Sequence, residues 1–314
     1  MTLSVTDELG RGRRTGRLGG GRGTGPRVVA MTMASNEADM LPRWIDYYGG
    51  QLGVDNLVVL DDNSVDASTD DLPCTLYRLP GPPWKVNWER TRRSLVNGLA
   101  RGLLACFDVV VFTDVDEFLV PDPARYEGLV HYLEGRRERK VIAPLGLNVL
   151  HNPAVEPSLD PSLPLLAQRR FVKFAPAMCK PLLKRIPADW MVAFHGIKAP
   201  FAIDPDVLLL HLKYYDVTVL RAVSEHRRAM HETDSRGSPH SAWPLGPEAL
   251  TSRLLSWVET PDGHDIPEFD AAEVDLTEIV RPKAKGFYRT HGPQLPAMDK
   301  NPLRRLPERF LEAF

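Results

Sequence analysis

VVVFTDVDEFLVP, residues 109–121, runs from four apolar residues into Asp114, Asp116 and Glu117, then returns to Phe118, Leu119 and Val120. A short continuous apolar run of this kind reads as a strand buried on both faces, as in a parallel sheet covered by helices. Three carboxylates at its end repel one another and, beside a core, lose solvation. Either positive charge sits among them or they face water.

The sequence around that stretch alternates between two periodicities. VVAMTM (28–33), NLVVL (56–60) and TLYRL (75–79) read as further strands. Between the first two, Met40, Leu41, Trp44, Ile45, Tyr48 and Leu52 recur at helical spacing over 37–52. Ser35 and Asn36 are suited to cap that helix and Gly53 to stop it. Residues 87–106 read as a long helix with Leu95, Leu99 and Leu103 on one stripe. The order predicts an α/β fold, a Rossmann-like, mostly parallel central sheet flanked by helices. In such sheets ligands bind beyond the carboxyl ends of the strands. Three polar clusters lie there: Ser35-Asn36-Glu37, Asp61-Asp62-Asn63-Ser64 and Asp114-Val115-Asp116-Glu117. They are expected to converge on one crevice.

Beyond Pro121 the rhythm fades. VIAPLGLNVL (141–150) and VLLLHL (207–212) read as strands, and 217–232 as a basic amphipathic helix. Only short elements are expected after Asp234. With no internal repeat and no isolating linker, residues 27–314 are expected to form a single domain. Residues 1–26, rich in glycine and arginine, read as a disordered basic tail with no apolar stretch for a signal peptide.

Composition narrows the function classes. The 314 residues are 43% hydrophobic and 25% charged, ordinary for a soluble globular protein. A net charge of −2 gives no general attraction to nucleic acid or to an acidic membrane, so no nucleic-acid partner is expected. The arginines of the tail leave peripheral membrane contact open. No apolar run is long enough to span a bilayer. Cys74, Cys106 and Cys179 are far apart with no CxxC, which reads as reduced thiols in a cytoplasmic protein.

Along a strand, alternation would put Asp114 and Asp116 on one side and Val115 on the other. Two carboxylates so placed can hold Mg²⁺ or Mn²⁺ and leave coordination positions for phosphate oxygens. The ion would relieve the repulsion and offset charge on a diphosphate leaving group. The alternative is a solvated acidic turn.

NEADMLPRWIDYYGGQLGVDNLVVLDDNSVD followed by FTDVDEFLVP resembles the family 2 glycosyltransferases of the GT-A fold, in the branch whose DxD motif reads DxDEF. The likeness is clear over 28–121 and loose over 141–230. It implies a nucleotide-diphosphate-sugar donor, most readily a UDP-sugar, a divalent metal, and transfer with inversion to a saccharide or other hydroxyl acceptor. Residues 27–121 would be the nucleotide-sugar half and 122–314 the acceptor-side half. By the same resemblance Ser35 and Glu37, beside Asn36, would lie near the base and ribose. Asp62, next to Asp61, would contact the nucleotide. Arg92, Arg93 and Asn97 would flank the donor pocket, Asp114 would meet ribose or a metal-bound water, and Asp116 would ligate the metal. His211, at the end of VLLL, resembles a late histidine ligand, with His195 a second candidate. Lys180 and Lys184 could meet the diphosphate.

Inversion needs a general base. The ED pair that many relatives place before a Trp-rich helix is missing downstream, so Asp189, beside Trp190, is the first candidate and Glu225 the second. Other readings account for less. A haloacid-dehalogenase-type phosphohydrolase would start with its aspartate pair, and a nucleotidyltransferase would need glycine and arginine in TMASNEADML. A non-catalytic nucleotide-sugar-binding or scaffold descendant of the same fold fits the missing ED pair but not the intact acid cluster.

Overall fold

The computed structural model describes residues 25–82, 87–234, 236, 242–259, 265–277, 279–290 and 298–314. The basic tail expected over 1–26 lies, through residue 24, outside the described residues.

Strand β1 (Val28–Ala34) is buried along its whole length. It pairs in parallel with β2 (Leu57–Asp61) on one side and β4 (Val109–Phe112) on the other. β3 (Thr75–Arg78) continues the parallel run beyond β2. Apolar residues occupy both faces of β1, and each face has its own helix. Val28, Ala30 and Ala34 cluster with Leu41, Trp44 and Tyr48 of α1 (Met40–Leu52). Val29, Met31 and Met33 cluster with Trp88, Val96 and Ala100 of α2 (Trp88–Leu103). The expected class, an α/β fold with a central sheet flanked by helices, is the one observed.

The second half extends the same sheet. β6 (Val141–Leu150), the paired β7 (Phe171–Phe174), the short β8 (Leu183–Lys184) and finally β13 (Arg304–Arg305) bring the order to β13-β7-β6-β8-β4-β1-β2-β3. The long β10 (Ala202–Tyr214) lies parallel to β6 and antiparallel to β5 (Glu117–Pro121). α3 (Leu129–Glu134) and the one-turn α4 (Leu165–Gln168) fill connections. α5 (Val217–Asp234) packs beside α6 (Pro247–Val258). A separate three-stranded sheet joins β9 (Gly196–Ile197), β12 (Tyr288–Thr290) and β11 (Val280–Pro282). No helix among the described residues is long and apolar enough to cross a membrane.

Three expectations are corrected. α1 starts at Met40 with Asp39 in the cap position, not at Ser35-Asn36. Those two residues tie the first loop to the second. Ser35 Oγ donates to the Asp62 carbonyl at 3.0 Å, the Asn36 amide donates to Ser64 Oγ at 3.1 Å, and Val65 N–H donates to Asn36 Oδ1 at 2.7 Å. Asn36 takes a left-handed φ of 55° to do so, a conformation asparagine tolerates better than most residues. Next, the region after Asp234 holds a full helix, α6, with Leu250, Leu254, Trp257 and Val258 buried at helical spacing. Finally, Asp114 and Asp116 are not on a strand. β4 ends at Phe112, the chain turns through 113–116 with Glu117 N–H donating to the Asp114 carbonyl at 3.1 Å, and β5 begins.

α1 holds β5 in place. Tyr48 Oη donates to the Glu117 carbonyl at 3.1 Å and accepts from Leu119 N–H at 3.0 Å, while Tyr47 Oη donates to the Leu119 carbonyl at 2.6 Å. Both tyrosines are buried. Tyr48→Phe removes the acceptor of a buried amide and is expected to cost about 1–3 kcal/mol in urea denaturation. A loss under about 0.5 kcal/mol would show that β5 does not depend on this bond.

Candidate active site

The turn at 113–116 delivers its acids to a second strand. The antiparallel register of β5 and β10 sets His211 opposite Glu117. One ligand atom each from Asp116, Glu117 and His211 lies within 4.8 Å of the others. Asn148 on β6, in register with His211, accepts from His211 Nδ1 at 2.5 Å. That bond leaves Nε2 toward Asp116 Oδ2, 3.6 Å away. Asp114 turns the other way, onto Arg92 of α2 and Lys180 at 3.3 Å. Lys180 also pairs with Glu117, and Arg227 of α5 lies 3.7 Å from Asp116 and 3.6 Å from Glu37.

These contacts answer the repulsion. Burial raises the pKa of every carboxyl in the group, but at two of them attraction wins. Against that burial, Arg92 and then Lys180 hold Asp114 well below the usual carboxylate range, and His211 and Arg227 do the same for Asp116. At Glu117 burial outweighs Lys180 and the pKa rises. At Glu37 burial again dominates, with Arg227 opposing it, and the carboxyl is pushed up to about 7. The site therefore keeps two firmly ionised acids beside one poised near neutrality.

The strand ends converge as expected. Ser35, Asn36 and Glu37 after β1, Asp62 after β2, and Asp114, Asp116 and Glu117 after β4 line one cleft of about 460 Å³ with Arg92, Lys180, His195 and His211. Asp62 is buried against Arg236, whose guanidinium lies 4.9 Å over the Trp88 ring.

Other expected residues sit elsewhere. The carboxylate of Asp61 turns back into the second loop, accepting from Arg78 at 2.7 Å, Ser64 N–H at 2.9 Å and Thr69 at 3.1 Å. Arg93, Asn97 and Asp189 line a second cavity and not the cleft. Asn97 clamps Trp190 through both backbone groups, accepting from its N–H at 2.8 Å and donating to its carbonyl at 3.1 Å. Trp190 is fully buried against Phe112 and Phe194, so it is a core residue, and Asp189 beside it faces the second cavity. Asp189 is 43% exposed and paired with Arg101 at 2.7 Å. Glu225 is exposed on α5, paired with Arg228 at 2.8 Å. Lys184 is buried 3.6 Å over the Trp190 ring, with Nζ donating to the Ala188 carbonyl at 2.8 Å.

Residues that sequence reasoning did not assign complete the cleft. Arg227 belongs to the basic face of the 217–232 helix, which was legible without its target. Lys213, one strand position beyond Leu212 in HLKYYD, is pushed down to about 8 by burial. Asn148 gave no signal, because its role appears only through register.

No protein-family model matches the chain, and no curated protein matches it. Among solved structures, glucosyl-3-phosphoglycerate synthase from Mycobacterium tuberculosis in complex with Mn²⁺, UDP-glucose and phosphoglyceric acid is 22% identical, with a TM-score of 0.27. That match covers 38% of this chain and 44% of the synthase, less than half its length. A mannosyltransferase from Pyrobaculum calidifontis in complex with GDP-mannose and Mn²⁺ is 16% identical over 74% of this chain and 70% of that one, with a TM-score of 0.33. Likeness at this level says nothing of chemistry, which has to come from the side chains of the cleft.

Lys184 provides a pH test of the core around Trp190. Burial pushes its ammonium down to about 8 from an ordinary 10.5. A depressed lysine adds stability above its unfolded pKa, and that contribution is lost as pH falls through the folded value. Lys184→Met removes this linkage. The variant's stability relative to the parent is therefore expected to decline as pH rises from 8 to 10.5, followed by chemical denaturation. A pH-independent difference would mean that the ammonium is not desolvated.

Proposed function

We propose that this protein is a metal-dependent glycosyltransferase that moves a sugar from a nucleotide-diphosphate donor, most readily a UDP-sugar, to an acceptor hydroxyl with inversion. One observation carries the reading: Asp116, Glu117 and His211 meet within 4.8 Å inside the cleft reached by Asp62 and by Arg92, Lys180 and Arg227. An acid cluster alone is common. An acid cluster with an oriented histidine, ringed by cations, at the carboxyl ends of parallel strands is specific.

The donor set fits a hard divalent ion. Two carboxylates and one imidazole suit Mn²⁺ or Mg²⁺. The bond from His211 to Asn148 supplies the outer orientation that a ligating histidine needs. When bound, such an ion offsets the charge of a departing diphosphate.

The chain's own groups account for the rest. Arg92, Lys180 and Arg227 surround the position a diphosphate would take and supply charge-assisted hydrogen bonds. Asp62 and Arg236, with Trp88 beneath the guanidinium, form the end suited to the nucleoside. For the base, Glu37 replaces Asp189 and Glu225 in this reading. It lines the cleft, and burial pushes it up to about 7, near the optimum for taking a proton at neutral pH.

The test separates binding from chemistry. Calorimetry of UDP with Mn²⁺ is expected to show affinity at least about tenfold weaker in Asp116→Asn, with a smaller loss in His211→Ala. Glu37→Gln is expected to keep that affinity and lose turnover. A screen of nucleotide sugars for Mn²⁺-dependent thermal stabilisation identifies the donor. Unchanged affinity in Asp116→Asn would remove the metal from this site, and full turnover in Glu37→Gln would move the base elsewhere.

A further inference from the structure

The second cavity has a chemistry of its own. It holds about 350 Å³ and is lined by one face of α2 (Arg93, Ser94, Asn97, Gly98 and Arg101), by Asp189-Trp190, and by Lys198 and Phe287 at its edge. None of these residues lines the cleft described above. Neighbouring positions on α2 thus serve different spaces, with Arg92 in the cleft and Arg93 in this cavity.

The lining is unbalanced in charge. Three cations, Arg93, Arg101 and Lys198, face a single carboxylate, Asp189, which is committed to Arg101. Among the described residues Arg93 and Lys198 have no ion-pair partner and the Ser94 hydroxyl has no hydrogen-bond partner. Such a surplus stands out in a chain whose net charge is −2. At the floor, Asn97 commits one N–H and its carbonyl oxygen to Trp190, which fixes the amide in place. Gly98 adds room, because a Cβ built there would meet nothing within 4 Å. A mid-helix glycine with no neighbour to accommodate is otherwise only a cost to α2.

We propose that this cavity binds the phosphate group of a small molecule. Two guanidiniums at one helical face offer the planar forks that match phosphate oxygens, with the Lys198 ammonium and Ser94 hydroxyl completing the donors. A polar concavity of this size takes a small ligand and not a polymer. The site needs neither the metal nor the donor of the transfer reaction, so it stands or falls independently of the activity proposed above.

Isothermal titration on the full chain without metal, at physiological ionic strength, tests it with inorganic phosphate and phenyl phosphate. Saturable binding is expected, weakened at least fivefold in Arg93→Ala and Lys198→Ala and unchanged in Lys140→Ala, an exposed cation that lines neither cavity. Arg93→Ala breaks no ion pair of the fold, so its thermal midpoint should match the parent's. Gly98→Leu, which extends into open space, should keep the fold and abolish binding. Tighter binding of phenyl phosphate assigns the site to a monoester, and equal binding assigns it to the free ion. No saturable binding would overturn the proposal, as would binding kept at full strength in both Arg93→Ala and Lys198→Ala.

Discussion

The structure turns on the compensation of charge at the end of β4. Four carboxylates, Glu37, Asp114, Asp116 and Glu117, share one cleft. Uncompensated, a group of this kind could not be carried beside a core, since each buried charge costs several kcal/mol (order of magnitude) unless paired. Arg92, Lys180, Arg227 and His211 answer it, each from a different element. The compensation is incomplete at Glu37, which burial leaves protonatable near neutrality even beside Arg227.

Much of this was legible in the sequence, for a definite reason. Apolar runs buried on both faces and helices buried on one follow directly from side-chain periodicity, so β1, β2, β4 and α1 could be read from local patterns. Polar residues at successive strand ends then converge by topology alone, which is why Asn36, Asp62 and Asp116 were expected in one crevice. What failed was local geometry. Asp114 and Asp116 lie in a turn, so strand alternation did not apply, and Asp116 meets Glu117 and His211 while Asp114 faces Arg92 and Lys180. Asp189 was chosen for standing beside Trp190, yet that tryptophan is a core residue, and the acid next to it faces the other cavity. Periodicity says that a residue is near a wall, but not which side of the wall it faces. α6 was a different kind of miss, since its spacing of Leu250, Leu254, Trp257 and Val258 was there to be read.

The same charge balance ties residues 27–121 to the rest of the chain. That segment supplies all four carboxylates but only Arg92 among their cations. Lys180 arrives from the connection before β8, His211 from β10 and Arg227 from α5. Removing one partner of a buried pair costs about 3–5 kcal/mol, comparable to the whole stability of many domains. β5 makes the dependence stronger, because the strand that begins with Glu117 is completed by its pairing to β10. The first half therefore holds the acids of the site without the means to neutralise them. The long strand β10 is the physical joint between the halves: it closes the sheet around β5 and, through His211, helps make the acid cluster tolerable.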